Sequence, residues 1–335
     1  MSLKIDQDYD LLSLNTLGVP ARAEYFCQVH DLDEVQEAIA WARSHHQPIS
    51  ILGGGSNVVM REKLPGLCLQ VALSGRSIES NRIKLAAGEN WHQSVLYSLE
   101  QGLSGLENLA LIPGQVGAAP IQNIGAYGVE LAEHLTAVQG IRLDTGEAFR
   151  LNRDECQFGY RDSVFKRAKE HSQLITGVEL ELNWDYEPRL EYAGILDQLG
   201  AKQVTPENVC QAVIQLRQTR LPNPINSGNA GSFFKNPVIT TELFQQLKQK
   251  DEQLVGHQDK QGMKVSAAYL IDQCGLKGAR RGDAQVSQQH ALVIENAGNA
   301  TGDDVLELAQ WVTEKVMARF DIQLEMEPRV LPETA

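Results

Sequence analysis

The 24 residues from Gly105 to Gly128, GLENLALIPGQVGAAPIQNIGAYG, constrain this chain more than any other stretch. They contain Gly105, Gly114, Gly117, Gly125 and Gly128 together with Pro113 and Pro120. Glycine frees the backbone where it must bend or approach closely, and proline fixes it elsewhere. An ordinary packed core has no need of such density, so the stretch reads as a cradle pressed against a flat ligand. Gln122 and Asn123 bring side-chain donors and acceptors, and the Gly and Ala positions offer backbone N–H groups without bulk. The bland alternative, a glycine-rich corner, is weakened by a second cluster upstream, ILGGGSNVV at 51–59. Two such loops imply a long ligand touched at two points.

The surroundings of that second loop support a nucleotide-like ligand. RAEYFCQV (22–29) reads as a strand, and Asp31 to His46 as a helix with Val35, Ala38, Ile39 and Ala42 on one face, capped by Asp31 or Asp33. Ile49 to Leu52 then runs as a strand into Gly53, Gly54 and Gly55, the place where α/β proteins put phosphates. GGGSN is neither a dinucleotide-fold GxGxxG nor a P-loop, which would need a following Lys and Ser/Thr.

Downstream, 66–72 and 82–88 read as strands, Trp91 to Glu100 as a helix, and 135–142 with 147–151 as a hairpin about Asp144-Thr145-Gly146. Leu174 to Leu182 alternates as another strand. DYEPRLEYAGIL (185–196) is a polar, aromatic excursion. Thr205-Pro206 opens a helix to about Gln218, and residues 222–228 form a linker. An α+β unit follows, with helices at 240–250 and 265–274, the latter stopped by Gly275, and a strand at 290–295. A helix from Asp303 to Phe320 is capped by Thr301, with Val305, Leu308, Ala309, Val312 and Val316 as core, and Ile322 to Glu327 is expected to be a strand.

A net charge of −13 excludes general nucleic-acid binding and a basic membrane-facing surface. The N-terminus MSLKIDQDYD has no apolar core of a signal sequence, and no apolar run reaches the about 20 residues of a membrane span. A cytoplasmic location is expected. Cys27, Cys68, Cys156, Cys210 and Cys274 are odd in number, with no CxxC pair, so buried reduced thiols are expected and no metal site.

ILGGGSNVV, the cradle, FGYRDSVFK (158–166) and GNAGSFFKNP (228–237) occur in that order. With them the chain resembles the UDP-N-acetylenolpyruvoylglucosamine reductase family of the tyrosine-loop type, over nearly its whole length from Asn15 to Leu331. The resemblance implies an α+β (α/β mixed) protein: an FAD-binding fold of the vanillyl-alcohol-oxidase and cresol-methylhydroxylase type in two subdomains, plus a separate α+β substrate-binding domain. The boundaries expected are 1–70, with 321–335 returning to it; 71–219, including the tyrosine loop 185–196; and 220–320. It further implies NADPH-dependent reduction of UDP-N-acetylglucosamine enolpyruvate in peptidoglycan synthesis, and through it a part in cell-wall biogenesis, cell shape and cell division. The protein is expected to act as a monomer. FAD is expected to be noncovalent, since neither His nor Cys lies within Gly53–Asn57.

By the same resemblance FAD falls to Gly53, Gly54, Gly55, Ser56, Asn57, Pro113, Gly114, Gly117, Gln122, Asn123, Gly125, Ala126 and Tyr127. Ser232 matches the proton donor, Arg161 the group that faces the substrate carboxylate, and Glu327 the catalytic carboxylate. Pro328 follows Glu327 directly, where the family places its Pro before the Glu, so Glu325 stays open as the alternative. Tyr192, Arg220, Asn236 and His290 match substrate contacts. In an acidic chain Arg220, Lys235, Lys277, Arg280 and Arg281 are the cations that can gather about a diphosphate. Lys235 or Arg220 is also the candidate to make donation by the Ser232 hydroxyl feasible. Two rival readings remain: another FAD-dependent oxidase or dehydrogenase of the same fold, and a non-catalytic flavin-binding protein.

Overall fold

The structure, a computed structural model, describes residues 3–167 and 173–332. It divides into two compact units, one made of 1–9, 22–55 and 64–219, the other of 10–21, 56–63 and 220–335.

The first unit is built on two sheets. One has the order Asp6–Asp10, Arg22–Val29, Lys63–Val71, Ile49–Leu52, in which the last two strands run parallel with Ile49 opposite Leu67. That parallel pair is joined by a crossover, and the helix Leu32–Ser44 lies between Arg22–Val29 and Ile49–Leu52 in the chain. It starts where expected because the Asp31 carboxylate accepts from the Glu34 N–H at 2.8 Å, and it buries Val35, Ala38, Ile39 and Ala42. The second sheet is antiparallel, in the order Ala148–Asn152, Leu135–Arg142, Gln173–Glu181, Arg82–Ala86, Arg76–Glu79. The hairpin read from Asp144-Thr145-Gly146 is there, with Gly146 at φ +78°. Trp91–Glu100 is a helix capped by Asn90, and Trp91, 1 % exposed, donates its indole N–H to the Leu109 carbonyl at 2.9 Å. That bond ties the start of the helix to the start of the cradle. Pro206–Arg220 is a helix whose first turn is capped by Thr205.

The second unit has an antiparallel sheet ordered Gly228–Ser232, Val293–Asn296, Ala284–Val286, Arg280–Arg281, and a smaller one of Val238–Ile239, Gly262–Val265 and Gly256–Asp259. Its helix Gly302–Phe320 carries a full capping box between Thr301 and Asp304 and buries Val305, Leu308, Ala309, Val312 and Val316, as the periodicity requires. The strand expected over 322–327 is not formed. A single bridge, Phe234 to Met326, stands there, with the backbone bonds Lys235 N–H to Glu325 O and Glu327 N–H to Phe233 O. Pro328 has no N–H to extend a ladder, and regular pairing resumes only at Arg329–Leu331, parallel to Val58–Met60.

Four of the five cysteines are buried and Cys274 is half-buried, all as free thiols. Burial pushes the thiols of Cys27, Cys68, Cys156 and Cys210 up to about 12, so they are inert as nucleophiles near neutral pH. Among the described residues no helix is long and apolar enough to cross a membrane.

Candidate functional site

In the first unit the two glycine loops meet. A methyl group on Gly54 would lie 3.4 Å from the Gly114 Cα, and one on Gly53 would lie 3.0 Å from the Gln115 side-chain oxygen. Gln115 donates its amide to the Val71 carbonyl at 3.1 Å, yet its Oε1 is buried with no partner among the described residues. A side-chain acceptor left open between two bare glycine backbones fits a ligand that donates there, and FAD has both a ring N–H and ribityl hydroxyls to do so. Gln115 is absent from the sequence-based set. Its position next to Pro113-Gly114 was the available signal.

Further along the cradle, the Val116–Ala118 turn is held by Gly117 N–H to Ala87 O at 2.8 Å and Val116 N–H to Glu89 O at 2.9 Å. Asn123 is 1 % exposed, and its amide is fully occupied: it donates to Glu130 at 2.8 Å and to the Gly159 carbonyl at 3.1 Å, and accepts from Ala132 at 3.0 Å. Its side chain therefore fixes the cradle's shape and does not face a ligand. Gly125 and Ala126 pair with Val129 and Glu130 in a short hairpin. Tyr127 sits at a left-handed φ of +50°, and its ring meets the ring of Tyr192 edge to face at 4.8 Å. Tyr192 itself is 45 % exposed.

Arg161, at φ +52°, donates to the Gly125 carbonyl and stacks over the Tyr160 ring. Its guanidinium abuts Gly125 so closely that a methyl there would lie 2.9 Å from a terminal nitrogen. Asp162, the acidic neighbour that could have paired with it, is held by Arg167 at 2.5 Å. A second guanidinium faces the same region. Arg217, on the helix Pro206–Arg220, donates Nε–H to the Leu111 carbonyl at 3.1 Å and makes no ion pair among the described residues. Burial pushes it down from its ordinary range, and the charge of Arg161 acts in the same direction, while Tyr127 and Tyr192 oppose this. Two guanidinium groups, Arg161 and Arg217, on this side of the cradle make it receptive to anionic groups. The sequence reading missed Arg217; a cation next to the buried stripe Val209, Val213, Leu216 was its only trace.

In the second unit, Ser232 ends the strand Gly228–Ser232 opposite Val293, after a register shift that follows Asn229. Gly231, at φ +71°, supplies the bend. A bulge of this kind re-aims the side chain that follows it, and the Ser232 hydroxyl has no hydrogen-bond partner among the described residues. The Thr16 hydroxyl donates to the Asn229 carbonyl at 2.7 Å and Asn229 N–H donates to the Thr16 carbonyl at 2.9 Å, pinning the strand's start. Lys235 pairs with Glu325, whose carboxylate is 66 % exposed. Glu327 instead is 9 % exposed; its carbonyl accepts from the Asn57 amide at 3.3 Å, and the Asn57 carbonyl accepts from Arg329 N–H at 3.1 Å. The two carboxylates that sequence reading could not separate thus stand in different surroundings.

The charges of Lys277 and Arg220 both act on His290. Burial, followed by the charges of Lys277 and Arg220, pushes the His290 imidazole below its ordinary range, and its Nδ1 accepts from Leu292 N–H at 3.2 Å. The ring is therefore neutral at pH 7, with Nε2–H left as a donor. Lys277 also pairs with Asp272 at 3.3 Å. Asn236 Oδ1 accepts from Ala267 N–H at 3.0 Å, beginning the helix Ala267–Gln273. Arg280 bonds to Gln285, and Arg281 lies over the Trp311 ring at 4.2 Å, so neither points to this cluster by its own contacts.

Residues 23–152 match the family model of an FAD binding domain. Residues 223–331 match that of the UDP-N-acetylenolpyruvoylglucosamine reductase C-terminal domain. A UDP-N-acetylenolpyruvoylglucosamine reductase of Chromobacterium violaceum is 45 % identical over 99 % of this chain and 100 % of its own length. The chain belongs to the UDP-N-acetylenolpyruvoylglucosamine reductase family. The reductase of Xanthomonas campestris pv. campestris strain 8004 is 46 % identical over 96 % of this chain and 94 % of its own. The crystal structure of the Thermus caldophilus reductase covers 98 % of this chain and 99 % of its own at a TM-score of 0.70 and 28 % identity. The mixed α/β architecture expected for this family, an FAD-binding part and a distinct C-terminal domain, is thus the observed one, and the chain is an FAD-dependent oxidoreductase by family.

Proposed function

We propose that the chain reduces UDP-N-acetylglucosamine enolpyruvate to UDP-N-acetylmuramate with NADPH as the source of reducing equivalents, in the cytoplasm, as a step of peptidoglycan synthesis on which cell shape and division depend. What carries this reading is the likeness to reductases of that name over whole chains at 45 and 46 % identity, together with a cradle whose glycines and open Gln115 oxygen fit FAD.

When bound, FAD would supply the hydride chemistry between NADPH and the methylene carbon of the enol ether that no side chain has. The residues of the chain do the rest. Gly53, Gly54 and Gly55 with Ser56 and Asn57, and Pro113, Gly114, Gly117, Gln122, Asn123, Gly125, Ala126 and Tyr127, hold the cofactor, Asn123 through the shape it gives the backbone. Arg161 binds the substrate carboxylate, and its planar fork holds the charge that grows there as the enediolate forms. Ser232 Oγ–H protonates the neighbouring carbon; its freedom from internal hydrogen bonds leaves the hydroxyl able to turn to that atom. The buried Glu327 acts with Arg161 on the intermediate, the role its burial favours over the solvated Glu325. Arg220, Lys277 and the Nε2–H of His290 bind the diphosphate, with Asn236, Lys235 and Tyr192 completing the substrate contacts. NADPH and the nucleotide use one pocket in turn, giving ping-pong kinetics, and the enzyme acts as a monomer.

Ser232→Ala tests the assignment. Flavin reduction by NADPH is expected to stay near the wild-type rate, while reoxidation by the enolpyruvyl nucleotide falls about 10²–10⁴-fold, the usual worth of a positioned proton donor. Anaerobic stopped-flow absorbance separates the two steps; an equal loss in both would remove Ser232 from the donor role.

A further inference from the structure

We propose that Asn108 is the latch that holds the Tyr192-bearing segment, residues 184–194, closed over the cradle. The side chain is fully buried and its one NH2 group ties together two remote stretches, donating to the Tyr127 carbonyl at 2.7 Å and to the Arg189 carbonyl at 2.9 Å. Tyr127 belongs to the cradle and Arg189 to the segment. The amide's orientation is set by these two acceptors, because the reverse would press Oδ1 against two carbonyl oxygens. Tyr127 and Tyr192 repeat the link through their rings, edge to face at 4.8 Å.

The position is not designed for stability. Asn108 Oδ1 is buried with no partner among the described residues, and a buried orphan acceptor carries a desolvation penalty that leucine, with the same branching at Cγ and no polar atom, would avoid. What the amide provides in exchange is the pair of donated bonds. At the segment's foot Tyr186 Oη is likewise buried with no partner among the described residues, and burial, then the charges of Glu107 and Glu207, push its phenol above its ordinary range. Closure thus leaves two buried polar groups unsatisfied among the described residues, a penalty that opening to water relieves.

Opening breaks the bond from Asn108 to Arg189 and leaves the bond to Tyr127, so the cradle keeps its shape while Tyr192 moves away. Asn108 touches neither cofactor nor substrate in this scheme and acts as a positioning residue. The scheme rests on the proposed function only where two ligands must enter and leave one pocket in turn, each exchange needing the segment open.

The experiment compares FAD-loaded wild-type protein with Asn108→Leu and Asn108→Asp by deuterium exchange over 186–194, and by steady-state kinetics with the enolpyruvyl nucleotide. Loss of one hydrogen bond shifts the open-closed balance about fivefold. Asn108→Leu is therefore expected to exchange about fivefold faster in 186–194 and to raise KM for the nucleotide similarly, with less change in the rate at saturation. Asn108→Asp, which sets a carboxylate against two carbonyls, is expected to exceed it. Unchanged exchange in 186–194 in a folded, flavin-retaining Asn108→Leu protein overturns the proposal, as does faster exchange spread evenly over the whole unit. Should neither variant fold, the side-chain amide protons of Asn108 in ¹⁵N-labelled wild-type protein are the readout: slower exchange with saturating nucleotide supports the latch, and identical exchange refutes it. The variants' exchange in the absence of nucleotide does not depend on turnover, so a wild-type protein inactive on the nucleotide would overturn the proposed function and leave the latch to be judged by that exchange.

Discussion

Gly117 offers a sharp test of how the cradle is held. It lies in the Val116–Ala118 turn, and its N–H bonds to the Ala87 carbonyl at 2.8 Å. A methyl placed on it would stand 2.6 Å from the Ala87 Cβ and 3.2 Å from both the Ala87 Cα and carbonyl oxygen. No side chain here can swing aside, since the nearest atom is itself a Cβ and Ala87 is 1 % exposed. The turn must therefore move off the end of the strand Arg82–Ala86, straining the bond between Gly117 and Ala87. Overpacking of this sort costs about 1–3 kcal/mol, and in a domain of about 150–250 residues each kcal/mol lowers Tm by about 2–4 °C. Gly117→Ala should thus lower Tm by about 2–12 °C, measured by calorimetry on flavin-free protein so that weakened FAD binding does not enter. The same displacement carries Gly114 and Gln115 with it, so FAD affinity should fall as well. Ala87→Gly in the Gly117→Ala background removes the 2.6 Å contact and should restore part of the loss, the 3.2 Å contacts remaining. A Gly117→Ala protein that melts within about 1 °C of wild type, or a double variant no better than the single one, would refute the close-packing argument.

Glu325→Gln and Glu327→Gln should part company: the first breaks an exposed pair with Lys235 and costs at most about 1 kcal/mol of stability with little change in turnover, whereas the second should lower nucleotide-dependent turnover about 10²–10⁴-fold. Equal effects in steady-state assays would reverse that assignment. Stability should also depend on pH in a stated direction. His92, His134 and His290 are each held below their ordinary 6.5, burial being the largest cause in every case. Below that value the unfolded chain takes up protons that the folded one refuses, so unfolding free energy should fall as pH drops through about 6.5 toward the depressed values, and these groups should add no slope above it. Glu107, raised by burial, works in the opposite sense, its penalty growing as pH rises from 4.5. Urea midpoints across this range check the balance, and a His92→Asn, His134→Gln protein should show a flatter slope between pH 6.5 and 5.5; an unchanged slope would contradict the buried neutral imidazoles.

Much of the fold was legible in the sequence because its signals act over a few residues. Asp31, Asn90, Thr205 and Thr301 cap the helices that follow them, Asp144-Thr145-Gly146 turns its hairpin, and a 3.6-residue stripe marks the buried face of Gly302–Phe320. The candidate site was legible only in part. Its glycine loops and the GNAGS bend advertise themselves by composition, whereas the strand expected over 322–327 failed because alternation alone cannot reveal that Pro328 and a single bridge end the pairing.

By itself, then, the sequence determined where helices begin, where the backbone must bend and where the two glycine loops stand in the chain. Tertiary structure alone decided that Glu327 is buried while Glu325, two residues away, faces solvent. Among the described residues it likewise left Arg217 without an acidic partner and the Gln115 oxygen open, and it hung two carbonyls, 19 and 81 residues distant, on the amide of Asn108. The reason is physical: a cap or a turn is satisfied by atoms within about four residues, whereas the surroundings of a charge or a buried amide are set by whichever distant segments pack against it.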